Sequence, residues 1–488
     1  MSQHQALSTP DILYEIFDQC KTSIIRSEST LARCTQVCKA FFNPAARALW
    51  RTIPNIFPLL QLLSSFKWLE KIPNGYSQLM LCGAISEQDW LRFRQYAKLI
   101  RKVTFDCFSL ERIEPSVWVY LMRQNAGEPL LPHLHTLMWE PSKPFNAALP
   151  AIVSPSLRYL MLNLHCEPPD YPNTTQLAIG MLLQSVFVFA PHIQDLVIDA
   201  PAQSLSAMAI AGLKHLRKLD VSESGVMDLS LLEHLSTLDD LVELSIHVDI
   251  SGQDVFGSTG LYALKTLRIK IPSTSLRDVR ASFDEIRLRC PLLHTLRYII
   301  LPEDPNTAQP TVLPLHDIVR PLFRLTNLEN VTLNFSSHEI EVSDQDLQNV
   351  ADAWPGLVSF SLKHTRSSTI PTPQVLLYFA RRCPALQILS LPFLDISKAH
   401  FFHDWPVMSH GLRCLTITKN ADFLYRCLDS LTLSIDRLFP ALDIRDCESS
   451  YHEESYERGA FEEGWPPGSS VPSTASRIIK SFNICEGI

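Results

Sequence analysis

Leu216-Arg-Lys-Leu219-Asp-Val221, Leu241-Val-Glu-Leu244-Ser-Ile246 and Leu264-Lys-Thr-Leu267-Arg-Ile269 follow one another in the middle of the chain. Each has apolar residues at its first, fourth and sixth positions and polar or small residues between them. The fourth and sixth positions share one face of an extended strand, and the residues beside them point the other way. Working outwards, the same pattern recurs at Leu134-His-Thr-Leu137-Met-Trp139, Leu157-Arg-Tyr-Leu160-Met-Leu162 and Ile193-Gln-Asp-Leu196-Val-Ile198. Downstream it returns at Leu293-His-Thr-Leu296-Arg-Tyr298, Leu328-Glu-Asn-Val331-Thr-Leu333 and Leu357-Val-Ser-Phe360-Ser-Leu362. Leu386-Gln-Ile-Leu389-Ser-Leu391 and Leu412-Arg-Cys-Leu415-Thr-Ile417 complete the series. Weaker copies start at Tyr76, Ile100 and Phe439.

Consecutive copies from Leu134 onward start 23 to 36 residues apart. Most intervals match the length of a leucine-rich repeat, with insertions in the two longest. Several copies follow a segment of helical pattern that ends at proline: Ala190-Pro191, Cys290-Pro291, Trp354-Pro355 and Cys383-Pro384. Proline cannot continue a helix and biases the residue before it to extended backbone, so helix-then-strand units are expected. One such unit cannot bury its apolar edge alone, and stacked units share a continuous core. The expected fold is α/β, with an irregular leucine-rich-repeat solenoid that has a parallel concave sheet and convex helices. The ladder asparagine of regular repeats is nearly missing, with Asn420 alone in its place. The residues flanking the fourth motif position face the concave side. Across successive strands they turn from acidic to basic, and Asp195, Asp220, Glu243, Arg268 and Arg297 are the expected substrate-docking residues.

The N-terminus reads differently. In Thr9-Pro-Asp-Ile-Leu-Tyr-Glu-Ile-Phe17, Thr9 suits an N-cap, Pro10 the first helical position and Asp11 the positive end of the helix dipole. Ile12, Leu13, Ile16 and Phe17 repeat at helical spacing. Ser29 and Thr30 are expected to cap a second helix bearing Leu31, Cys34, Val37 and Cys38. A third helix carries Phe41, Phe42, Ala45, Leu49 and Trp50. Three short helices within about fifty residues have too little interior for all these groups, so some must face another surface.

This order of residue types resembles an F-box, the helical module that docks on the Skp-family adaptor of cullin ubiquitin ligases, as found in the large F-box families of fungi. The resemblance implies adaptor contacts at Pro10, Ile12, Leu13, Ile16, Phe17, Leu31, Val37, Cys38, Lys39, Phe41, Leu49 and Trp50. It also implies a non-catalytic role: a substrate-recognition subunit that links a protein target, through the adaptor and cullin, to ubiquitin-dependent degradation. The alternative is a non-degradative leucine-rich-repeat scaffold with an F-box-like helical cap. The expected organisation is a three-helix F-box at 1–52, a helical linker or cap at 53–99 and repeats at 100–445. An acidic, Pro/Ser/Gly-rich disordered tail at 446–476 and a terminal segment at 477–488 follow.

Other signals bound the function. The net charge is −8 over 488 residues and the cations are scattered, which argues against nucleic-acid binding. The longest apolar stretch, Leu177 to Ala190, is too short to span a membrane and is expected to be a buried helix. Twelve cysteines include no CxxC pair, so free thiols in cytoplasm or nucleus are expected rather than zinc ligands or disulfides. The pairs His133/His135 and His400/His403 have no partner set for a metal, and the fifteen glycines form no phosphate-binding loop. No metal, cofactor or catalytic set is expected. Ser86 with Asp89 is the expected start of a helix bearing Trp90, Phe93, Tyr96, Ala97 and Ile100.

Overall fold

The computed structural model describes residues 9–23, 27–69, 78–106, 112–140, 148–164, 172–205, 207–228, 230–250, 260–272, 274–301, 312–365, 369–395, 405–420 and 434–442. The chain divides into two compact units, Met1–Gly225 and Val226–Ile488.

The first unit opens with three helices, α1 (Pro10–Ser23), α2 (Ser27–Cys34) and α3 (Lys39–Trp50). Strand β1 (Thr52–Ile53) follows at once, then α4 (Phe57–Leu60), β2 (Phe66–Leu69), β3 (Gln78–Leu81) and α5 (Glu87–Ala97). Next come β4 (Lys102–Phe105), β5 (Thr136–Trp139), β6 (Tyr159–Asn163), β7 (Asp195–Asp199) and β8 (Lys218–Asp220). Strands β1, β4, β5, β6, β7 and β8 lie side by side in that order, all parallel. Parallel neighbours need long crossovers, and helices supply several of them, among them Ser116–Gln124 and Pro172–Phe189.

The second unit repeats the scheme. Its strands are β9 (Glu243–His247), β10 (Thr266–Ile271), β11 (Thr295–Ile300), β12 (Leu313–Pro314), β13 (Asn330–Glu341), β14 (Ser359–Thr365), β15 (Ile388–Leu394) and β16 (Cys414–Asn420). Strands β9, β10, β11, β13, β14, β15 and β16 pair in sequence order, all parallel. Strand β12 pairs with the far end of β13. The architecture is α/β with parallel sheets and helical crossovers.

The register follows the repeat. In the first unit the fourth motif residues align as Val103, Leu137, Leu160, Leu196 and Leu219. In the second they align as Leu244, Leu267, Leu296, Val331, Phe360, Leu389 and Leu415. A one-residue slip would turn each of these side chains out of the core, so burial holds the alignment. From Leu134 to Ile417, every first, fourth and sixth residue of the quoted copies is at most 5% exposed.

The expected proline boundaries are observed. Helices end at Phe189, Arg289, Ala353 and Arg382, each two residues before its proline. Cys290, Trp354 and Cys383 then leave helical geometry, with ψ of 61°, 69° and 71°, and all three are fully buried. Two of these helices also start on serine caps. The Ser275 hydroxyl accepts the Asp278 N–H at 3.2 Å, and Ser343 and Asp346 form a reciprocal capping box.

Several expectations need correction. Residues 53–99 are not simply helical: β1 already belongs to the parallel sheet, and β2 and β3 form an antiparallel pair. Leu79 and Leu81, read as a weak repeat copy, lie on β3 and take no part in the parallel ladder. The Phe439 copy begins as a turn, the Leu442 N–H reaching the Phe439 carbonyl at 3.3 Å, and Ile444 lies outside the described residues. Ser29 and Thr30 lie inside α2, which starts at Ser27. The apolar stretch 177–190 is not fully buried. Ile179, Leu183, Val186 and Phe187 face inward, while Leu177, Met181, Val188 and Phe189 are exposed, because a helix on a sheet covers only one of its faces. Residues 443–488, with the acidic tail and the terminal segment, lie outside the described residues.

Candidate partner-binding surfaces

The three N-terminal helices form a small core of their own. Leu13, Phe17, Leu31, Ala45 and Ala48 are buried together, with Cys20, Cys34, Phe41 and Leu49 packed partly against them. The Phe17 and Phe41 rings meet edge to face at 5.4 Å. Arg51 reaches back to the Asp18 carboxylate at 2.7 Å, and the Arg47 guanidinium lies over the Tyr14 ring at 4.8 Å. Trp50 is half-buried and packs on Tyr96 of α5 at 4.6 Å between ring centroids. On the Ser86-capped α5, Trp90 and Phe93 stack at 5.1 Å, and the Asp89 carboxylate accepts the Ser64 hydroxyl at 2.6 Å. Those hydrogen bonds hold the Asp89 pKa below the usual carboxylate range.

This packing sorts the twelve expected adaptor contacts. Pro10, Ile12, Ile16, Val37, Cys38 and Lys39 are exposed. Phe41, Leu49 and Trp50 are half-buried. Leu13, Phe17 and Leu31 are inside, at 1%, 4% and 0% exposure, and a partner seated on the module in this form cannot touch them. Ile12 and Ile16 stand one helical turn apart on the same face of α1, at 43% and 41% exposure, and Val37 is 66% exposed in the turn after α2. Phe42 is also exposed, beside the half-buried Phe41, and hydropathy alone does not separate the two.

The five expected substrate-docking residues fall in two groups. In the first unit Asp195 stands opposite Tyr159 and Lys218, and Asp220 opposite Val197. Asp220 is engaged locally, its Oδ1 accepting the Ser222 N–H at 3.0 Å and hydroxyl at 2.8 Å. Burial, and then the Asp195 and Asp220 charges, raise the Tyr159 pKa. In the second unit Arg268 and Arg297 are direct register partners, and Glu243 stands opposite Thr266, two residues before the Arg268 level. Arg268 is exposed, whereas Arg297 is half-buried, with its Nε enclosed and unpartnered among the described residues. An arginine pair side by side is the clearest feature of this group.

Among the described residues no cluster of three or more His, Cys, Asp or Glu could hold a metal. His133 and His135 are exposed, and His400 and His403 lie outside the described residues. Cys20, Cys34, Cys38, Cys82, Cys290, Cys383 and Cys414 are free thiols. Burial pushes the Cys290 and Cys383 thiols up to about 12, which leaves them protonated and poor nucleophiles. No described helix is long and apolar enough to cross a membrane. An open cleft of about 390 Å³ lies between α5 and the 125–132 loop, lined among others by Arg94, Lys98, Asn125 and Glu128.

Comparison with known proteins adds no relative: no family model matches the chain, and no curated protein matches it.

Proposed function

We propose that the chain is the substrate-recognition subunit of an SCF-type ubiquitin ligase. The helices α1–α3 would bind a Skp-family adaptor and, through it, a cullin. The strand array is read as an irregular leucine-rich-repeat solenoid whose sheet face holds a protein target. The observation that carries this reading is the exposure of Ile12, Ile16 and Val37 on a helical module whose own core is already closed. Covering what remains exposed of one such side chain is worth about 0.6–2 kcal/mol, so these residues favour a partner over water.

The test is co-purification of the full chain with a Skp-family adaptor, wild type against Ile16→Asp plus Val37→Asp. Both side chains are exposed, so the variant keeps the module's core and should lose only the adaptor. Failure of the wild type to bind, or retention of binding by the folded variant, would overturn the proposal.

A further inference from the structure

The first unit carries a row of basic side chains, interrupted by Gln194, at the edge where its strands begin. In each repeat the residue after the first motif position offers its carbonyl oxygen to two successive N–H groups of the next strand. The Arg51 carbonyl accepts Arg101 at 2.8 Å and Lys102 at 3.0 Å. The Arg101 carbonyl accepts His135 at 2.8 Å and Thr136 at 2.9 Å, and the His135 carbonyl accepts Arg158 and Tyr159 at 2.9 Å. The same fork joins Arg158 to Gln194 and Gln194 to Arg217. Arg51, Arg101, His135, Arg158, Gln194 and Arg217 are therefore stacked one strand spacing apart, about 4.8 Å, along roughly 24 Å.

Beyond Arg51, the arginines of the row are held in place but not neutralised. An Arg101 guanidinium nitrogen donates to the Lys98 and Ile100 carbonyls at 2.6 and 3.1 Å. An Arg158 guanidinium nitrogen donates to the carbonyls of Leu157, Pro155 and His192 at 3.1, 3.3 and 3.4 Å. Backbone oxygens thus orient both forks, and their other N–H groups remain for an anion. Among the described residues Arg51 has a carboxylate partner, Asp18, whereas Arg101, Arg158 and Arg217 have none. The electrostatics agree: burial and then the Arg47 and Arg51 charges lower the Arg101 pKa, and burial and then Arg101 lower that of His135. In the second unit the corresponding positions are Val242, Lys265, His294, Glu329, Val358, Gln387 and Arg413, where Glu329, Val358 and Gln387 separate Lys265 and His294 from Arg413.

We propose that this strand-start row is a docking surface for an acidic polypeptide, an extended Asp- and Glu-rich segment of a partner protein. Its length matches about seven residues of extended chain at about 3.3 Å each. The protein's net charge of −8 opposes a long polyanion such as nucleic acid, which would meet the whole acidic surface. A short carboxylate-bearing segment meets the row alone, because screening cuts off charges beyond about 8 Å at physiological salt. The proposal does not depend on the ubiquitin-ligase reading.

The test is fluorescence anisotropy of the full chain with labelled octaglutamate, a Gly/Ser peptide of equal length as control and oligothymidine of equal length as competitor. Binding of octaglutamate is expected at low salt, weakening about tenfold in about 300 mM salt. Arg101→Gln plus Arg158→Gln should weaken it about tenfold. Lys102→Glu plus Arg217→Glu probes the same edge through exposed side chains and should weaken binding without touching the carbonyl contacts. Lys265→Glu in the second unit should leave it unchanged. Absence of octaglutamate binding, equal binding by the first-unit variants, equal loss with Lys265→Glu, or tighter binding of the oligonucleotide would each overturn the proposal.

Discussion

The N-terminal helices and the strand array treat their apolar residues in opposite ways. In the array the repeat residues all point inward, and each strand's buried positions meet their equivalents on the next. In the helical module neighbouring apolar residues part company: Leu13 and Phe17 go in, while Ile12 and Ile16 stay out. The array uses its apolar side chains to hold itself together. The module closes its core with a few of them and leaves the rest as contact surface.

The contrast can be broken most sharply by comparing two kinds of substitution. Leu296→Ala removes a fully buried residue from the middle of a parallel sheet and should cost about 2–5 kcal/mol in denaturant unfolding. Ile16→Asp, on the exposed side of α1, should stay within about 0.5 kcal/mol in the same measurement. Similar costs for the two would mean that the module has no free surface. A smaller effect tests the helical crossovers. Ser343→Ala deletes one half of a capping box and should cost about 0.5–2 kcal/mol. Ser343→Asp should recover most of that loss, because an Asp side chain can accept the same N–H.

The smallest effect expected is at His135, an array residue that stays outside the core. Partial desolvation of its ring and then the Arg101 charge lower its pKa in the folded chain. Between that lowered value and the ordinary 6.5, the unfolded chain binds more protons. The His135 contribution to stability is therefore complete above pH 6.5 and is lost as pH falls through this window. An NMR titration should place His135 below 6.5, and Arg101→Gln should raise it. A lowered His135 pKa that Arg101→Gln leaves unchanged would remove the Arg101 charge as a cause.

How much was legible beforehand follows from the same contrast. Strand positions, register partners and helix ends before Pro191, Pro291, Pro355 and Pro384 could be read because a short period repeats many times. Periodicity of this kind averages over single-residue accidents. The face of α1 could not be read, since Ile12-Leu13 and Ile16-Phe17 are apolar pairs and hydropathy does not separate one member from the other. The helix 172–189 misled for a related reason: it is apolar all round, yet only one side meets the sheet. The Arg101, His135 and Arg158 positions follow from the same period, each being the second residue of its copy, but whether a carboxylate neutralises them depends on packing and could not be read.

Composition and period were enough to specify an α/β chain of parallel strands with helical crossovers and an N-terminal helical segment richer in apolar groups than its size can bury. Tertiary packing decided which of those groups are surplus, that β1 joins the parallel sheet directly after α3, and that Arg101, Arg158 and Arg217 have no carboxylate partner among the described residues. The physical reason is range. Secondary structure and amphipathic period are set by neighbours along the chain, whereas exposure and charge proximity depend on which surfaces meet, and that is settled only when the elements pack.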